Sequence, residues 1–249
     1  MFTPERRDEV RERLLEFARE DPEVAGAAIT GSYAVGASDE WSDVDVAFGI
    51  RGDLAPALER WTRRLYDELQ ALHHWDLPLG STIYRVFLLP ETLQVDIAFM
   101  PEADFSPGGP SWQTVFGEVV EPSARPSVDA NELIGIAWTM CLSARTSIER
   151  GKPWQAEHMI SGIRDHVLAL ACLREGLPIR YGKGADRLPA EVTEPLEATL
   201  VRSLDEAELR RALAEAVDAL AVEVERTDGE LAARLRPTLK ASLSARTRR

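Results

Sequence analysis

Cysteine is almost missing from this chain of 249 residues: Cys141 and Cys172 are the only thiols. Each falls within an apolar helical pattern, which excludes a disulfide framework and suits buried, reduced side chains in a reducing compartment better than a catalytic thiol. The four histidines, His73, His74, His158 and His166, lack any paired spacing with cysteine, so no zinc site is expected and the imidazoles read as exposed or helix-facing. Nowhere do about eighteen apolar residues run together, so no membrane span is expected. The charged, amphipathic start does not read as a signal peptide, and the cytoplasm is the expected location. Positive charge is also short: 29 Lys and Arg face 42 Asp and Glu, a formal charge of −13. Nucleic-acid binding draws on basic surface that displaces phosphate counterions, so DNA, RNA and tRNA ends are disfavoured as partners. A cationic small molecule would instead be attracted.

What is present is ordinary globular material, 45% hydrophobic and 29% charged, with length enough for two modest domains. A proline-bounded stretch at 122–126 reads as the linker, giving domains over 1–122 and 128–249. The expected fold class is α+β: a small mixed β-sheet with flanking helices, followed by a C-terminal α-helical bundle. Thr3 is a fair N-cap with Pro4 in the first helical position, and Val10, Leu14 and Phe17 form that helix's apolar stripe before Asp21-Pro22 stops it. A second amphipathic helix is expected over 55–72, with Trp61 in its core face. Strands are expected over 24–30, 82–89 and 93–99, and a loop over 101–110 that begins just after the last of them. Beyond Asp129, an N-cap, the pattern is helical. One stripe runs through Leu133, Ile136, Ala137, Met140, Ala144 and Ile148. A second runs from Met159 to Ala171, and a third from Leu209 to Val224; residues 242–249 read as a frayed basic tail.

The chemistry-bearing segment is Thr30-Gly31-Ser32-Tyr33-Ala34-Val35-Gly36, followed by Ser42-Asp43-Val44-Asp45-Val46-Ala47-Phe48. Period-two alternation sends Val44, Val46 and Phe48 to a core, and Asp43 and Asp45 to the opposite face. Two carboxylates on one face suit a hard cation such as Mg²⁺, which takes carboxylate oxygens together with substrate phosphates and not a full protein cage. Upstream, Gly31-Ser32 begins a short helical turn that Gly36 can close. Amides at such a start can bind an anion, Gly31 permits close approach, and the Ser32 hydroxyl adds a donor. Strand, Gly-Ser, Gly, Ser-Asp-x-Asp, apolar strand is a far more restrictive pattern than any of its parts.

These residues, Gly31-Ser32, Gly36 and Ser42-Asp43-Val44-Asp45, resemble the signature of the polymerase-β-type nucleotidyltransferase superfamily, particularly the small bacterial members that adenylylate antibiotics. The resemblance implies a third carboxylate on a later strand, and Asp96 is the only acid of Leu93-Gln94-Val95-Asp96-Ile97-Ala98-Phe99. It further implies ATP as co-substrate and Mg²⁺, as a pair of ions, held by Asp43, Asp45 and Asp96. Gly31, Ser32 and Ser42 would contact the nucleotide, and Asp96 would act as general base, metal ligand or both. Related antibiotic enzymes often carry a glutamate near the third strand; here Glu91 precedes it and Glu102 follows, leaving the base assignment open.

In the second half, Tyr181-Gly182-Lys183-Gly184-Ala185-Asp186-Arg187 is similar to a loop of the streptomycin- and spectinomycin-type adenylyltransferases, and the resemblance gives Lys183 a triphosphate contact. The same family closes a helical-domain acid over the amines of the antibiotic, which suggests Asp165 or Glu157. Trp112, after the 101–110 loop, could stack on a sugar or base. The implied activity is transfer of a nucleoside monophosphate, AMP from ATP, to a hydroxyl of a small cationic acceptor such as an aminoglycoside. A lincosamide, a protein or a tRNA acceptor is the alternative within the same chemistry, and a non-catalytic nucleotide-binding module the alternative outside it.

Overall fold

A computed structural model describes residues 1–122 and 128–243, the side chain of residue 242 excepted. The expected linker at 122–126 and tail at 242–249 therefore lie largely outside the described residues. The chain divides into two compact units, Met1–Arg125 and Pro126–Arg249.

In the first unit, α1 (Pro4–Glu20) starts where the Thr3 hydroxyl accepts from the Arg6 amide at 3.2 Å, with Pro4 in the position that needs no N–H. It is followed by β1 (Val24–Thr30), β2 (Val44–Ile50), α2 (Leu54–Leu69), β3 (His73–Leu79), β4 (Thr82–Leu88), β5 (Gln94–Pro101) and β6 (Trp112–Phe116). The sheet runs β3-β4-β5-β2-β1-β6, and β2 pairs with β5 in parallel while the other pairs are antiparallel. Alternation gives each strand one packing side. Val44, Val46, Phe48 and Ile50 of β2 and Val95, Ile97 and Phe99 of β5 join α1 and α2 in a single core. At its centre the Phe48 and Trp61 rings lie 4.6 Å apart, with Phe99 5.9 Å from each.

The opposite side is built from small residues. Ala28, Ala47 and Ala98 form a floor with Met100 and Phe105, against which Tyr84 and Trp112 pack. Phe105 corrects the expectation of a simple loop over 101–110. β5 continues to Pro101, a 3-10 turn covers Glu102–Asp104, and Phe105 is then buried against the sheet. Its ring fits because Gly26 and Gly49 lack side chains; a Cβ there would come within 2.5 and 2.9 Å of the ring.

Three further boundaries differ from expectation. α2 ends at Leu69 and not at 72: Gln70 turns left-handed at φ 57°, and the Leu72 amide donates to Leu88 O, starting the pairing of β3 with β4. β3 and β6 form strands where none was expected. β3 carries two histidines, an aspartate and Pro78, and lies at the sheet edge, where proline's missing donor is tolerated.

The second unit comprises α3 (Ala130–Glu149), α4 (Pro153–Arg174), α5 (Ala190–Glu197), α6 (Glu206–Thr227) and α7 (Gly229–Ser242). Asp129 caps α3 by accepting from the Asn131 amide at 2.9 Å. Leu209, Leu213, Ala216, Val217, Leu220 and Val224 are buried, as the third stripe requires. Of the first stripe, Ala137, Ala144 and Ile148 are buried as expected, but Ile134 takes the buried place and Ile136 is exposed. α3 is apolar on much of its circumference, so packing against α4 and α6, not periodicity, selects its inner face. Both cysteines are buried free thiols, and burial pushes Cys141 up to about 12. Among the described residues no helix is long and apolar enough to cross a membrane.

Candidate active site

Parallel pairing of β2 with β5 sets Asp45 directly opposite Asp96, and Asp43 immediately precedes β2. One carboxylate oxygen from each of Asp43, Asp45 and Asp96 lies within 4.8 Å of the others, and all three residues are half-buried. Among the described residues this is the one group of three or more His, Cys, Asp or Glu that could hold a metal ion. Two full charges at that separation repel by roughly 3 kcal/mol at an effective dielectric of about 20. An all-oxygen donor set of this spacing fits a hard divalent cation, which would turn that repulsion into attraction. Gln94 donates from Nε2 to Asp96 Oδ1 at 2.9 Å and so orients the third carboxylate.

Gly31 follows β1 with φ 64°, in the left-handed region that favours glycine, and a Cβ there would stand 1.9 Å from Asp45 Oδ2. The glycine is thus required by the carboxylate beside it as well as by its own backbone. Ser32 opens the 3-10 turn Tyr33–Val35, which Gly36 closes at φ 67°. Ser42 lies in the turn just before β2. Its hydroxyl accepts from the Asp39 amide and donates to Asp39 Oδ1, both at 2.9 Å, so it shapes the turn that delivers Asp43. The Ser42 hydroxyl and the Trp41 amide hold the Asp39 carboxyl below its ordinary range.

Two arginines of α1 brace these turns and were not singled out by the sequence. Arg7 donates from Nη1 to Asp39 O and, at 3.5 Å, to Ser42 O. Arg11 lays its guanidinium 3.5 Å from the centre of the Tyr33 ring and donates to Asp8 Oδ1 at 2.9 Å, while its Nε is buried without a hydrogen-bond partner. Both side chains are buried, at 7% and 6% exposure. Their spacing of four residues puts them on one helix face, which is the only trace they leave in the sequence.

Trp112 of β6 pairs with Thr30 of β1, next to Gly31. Its ring packs 5.1 Å from Phe105 and its Nε1 donates to Thr114 Oγ1 at 2.9 Å, so the indole N–H is already engaged. Of the alternative bases, Glu102 lies beyond the far end of β5, about 20 Å along the strand from Asp96, and it pairs with Arg51 at 3.6 Å. Glu91 sits exposed in the turn before β5, at φ 60°.

Lys183, Asp165 and Glu157 belong to the second unit. Lys183 is exposed in its loop, where Gly182 takes φ 68° and a Cβ on Gly184 would stand 2.4 Å from Pro178 O. Glu157 is half-buried and accepts from Ser161 Oγ at 2.6 Å; the same hydroxyl takes a 3.0 Å hydrogen bond from Arg164. Asp165 is exposed on α4.

No family model matches this chain, and no curated protein matches it. Among solved structures it is similar to an aminoglycoside 6-adenyltransferase from Bacillus subtilis, at 10% identity and TM-score 0.41, covering 98% of this chain and 100% of that one. It is also similar to a nucleotidyltransferase-like protein from Exiguobacterium sibiricum, at 15% identity and TM-score 0.38, over 87% of this chain and 74% of that one. A third similar structure is the polymerase core of TRAMP, an RNA surveillance complex, at 13% identity and TM-score 0.31, over 88% of this chain and 58% of that one.

Proposed function

We propose that the protein is a Mg²⁺-dependent nucleotidyltransferase that moves a nucleoside monophosphate, AMP from ATP, to a hydroxyl of a small acceptor. The observation that carries this reading is the convergence of Asp43, Asp45 and Asp96 within 4.8 Å beside the Gly31 turn. Asp43 and Asp45 would hold Mg²⁺, with Asp96 as a further ligand. When bound, the cation neutralises charge on the triphosphate and on the carboxylates. The turn from Gly31 through Ser32 offers backbone amides to phosphate oxygens, and Arg7 and Arg11 keep it and the Asp39–Ser42 turn in register with the strands. The acceptor hydroxyl oxygen forms a bond to the α-phosphorus, and the bond from that phosphorus to the oxygen bridging to the β-phosphorus breaks. Pyrophosphate leaves with the electron pair. The hydroxyl proton passes to an Asp96 carboxylate oxygen, which Gln94 orients.

An aminoglycoside is the first acceptor to try, because a net charge of −13 attracts cations. Lys183 is assigned to the triphosphate, Asp165 and Glu157 to the acceptor, and Trp112 to a stacking contact. The test is incubation with ATP, Mg²⁺ and panels of aminoglycosides and lincosamides, read as pyrophosphate release and acceptor mass gain. Asp43→Asn and Asp45→Asn should each lower transfer by about a hundredfold or more in a folded protein. Lys183→Ala should raise the KM for ATP, and Asp165→Ala the KM for acceptor alone. ATP binding without release on any acceptor would leave a nucleotide-binding module and end the enzymatic reading.

A further inference from the structure

The face of the sheet that carries the carboxylates does not stop at β5. Strand register continues it outward: Asp45 lies opposite Asp96, Asp96 opposite Val86 of β4, and Val86 opposite Trp75 of β3. One step along, Ala47, Ala98, Tyr84 and Leu77 make a parallel row. Residues directly opposite in a sheet share a face, so Val86, Tyr84, Trp75, Leu77 and Leu79 extend the site face as a shelf. Its outer part is open to solvent, with Trp75 52%, Leu77 40% and Leu79 44% exposed. Contiguous exposed apolar surface beside a reactive centre is what a ligand-binding groove offers.

We infer that this shelf is the acceptor subsite, and that the acceptor carries an apolar ring or chain next to the hydroxyl it presents. The inference rests on the nucleotidyltransferase reading but departs from its first choice of acceptor, favouring compounds of the lincosamide kind over aminoglycosides. Distance supports it: strands lie about 4.8 Å apart, so Val86 is one strand and Trp75 two strands, about 10 Å, from Asp96. A small molecule with its hydroxyl at the carboxylates reaches both. Charge supports it as well. Alternate β3 and β4 positions on this face are His73, Trp75, Leu77, Leu79, Thr82, Tyr84, Val86 and Leu88, with no carboxylate among them. The hairpin's acid, Asp76, faces the other way and is held by Arg85 at 2.7 Å. An acceptor that is polar and cationic on every side finds no counter-charge on the shelf. An amphipathic one covers about 100–200 Å² of apolar surface there, enough for tenfold or more in affinity.

The experiment is calorimetric binding to the full chain of lincomycin and chloramphenicol, hydroxyl compounds with an apolar body, and of kanamycin, a polyhydroxyl polycation without one. Each is compared between wild type and Trp75→Ala/Leu77→Ser, whose side chains are exposed and whose loss leaves the core intact; ATP binding reports the fold. The expected result is binding of at least one apolar-bodied compound that weakens tenfold or more in the variant, with ATP affinity unchanged. Binding of kanamycin in preference, apolar compounds unaffected by the variant, or binding of no compound would overturn the inference. So would a wild-type dimer in sedimentation that the variant converts to monomer, which would make the shelf a self-association surface. Retained transfer in Asp45→Asn would instead strike the nucleotidyltransferase mechanism while leaving the binding result to stand.

Discussion

The two faces of the six-stranded sheet are made by the same strands, offset by one residue, and they do opposite things. On one, Phe48, Phe99 and Trp61 interlock and exclude water. On the other, one residue away along each strand, Ala47 and Ala98 keep the surface low and Asp45 and Asp96 crowd together. The first face repays conformational entropy through apolar burial; the second spends stability on like charges and a left-handed glycine. Alternation thus encodes a packing surface and a chemical surface in one stretch of seven residues.

That contrast can be broken from either side. Phe48→Ala, a truncation on the packing face, should cost about 3–5 kcal/mol of stability in urea unfolding. Asp45→Asn, its neighbour on the chemical face a few residues earlier, should leave the unfolding midpoint unchanged or raised, because it relieves repulsion. Equal destabilisation by both would mean that the carboxylates are structural. Gly31→Ala follows in size. The left-handed backbone alone costs about 1–2 kcal/mol, and the new Cβ must also displace Asp45, so loss of activity beyond the loss of stability is expected, measured as kcat on the folded fraction.

The smallest effect is the pH response of an acid on the packing side. Hydrogen bonding to Arg85 holds the Asp76 carboxyl below its ordinary 3.8. A depressed folded value contributes stability that is full above the ordinary value and is lost as pH falls through 3.8 and below. Asp76→Asn should therefore flatten the acid limb of a melting-temperature profile while leaving the neutral region nearly unchanged. An unaltered acid limb would show that the pair contributes nothing measurable, as many exposed pairs do.

The chemical face was the more legible of the two. β1 was expected at its observed bounds, the alternation around Asp43 and Asp45 set β2, and the third acid on β5 was expected because the family resemblance implied one on a later strand. Less was visible where structure depends on distant partners. β3 was not expected as a strand: it is exposed at the sheet edge and carries Pro78, and only its pairing with β4 fixes its register. Arg7 and Arg11 look like solvated helix charges; they become struts only when the Asp39 and Tyr33 turns fold onto α1. α5 and α7 each contain a proline, Pro195 and Pro237, which masks their periodicity. In α3, a helix apolar on several sides, Ile134 is buried where Ile136 was expected to be, because burial was decided by the neighbouring helices.

The central claim is that Asp43, Asp45 and Asp96 form one divalent-cation site. Manganese binding followed by electron paramagnetic resonance tests it without any acceptor being known. The wild-type chain should bind Mn²⁺ in competition with Mg²⁺, and Asp45→Asn and Asp96→Asn should each weaken that binding by about tenfold or more. Equal Mn²⁺ affinity in wild type and both variants would contradict the account.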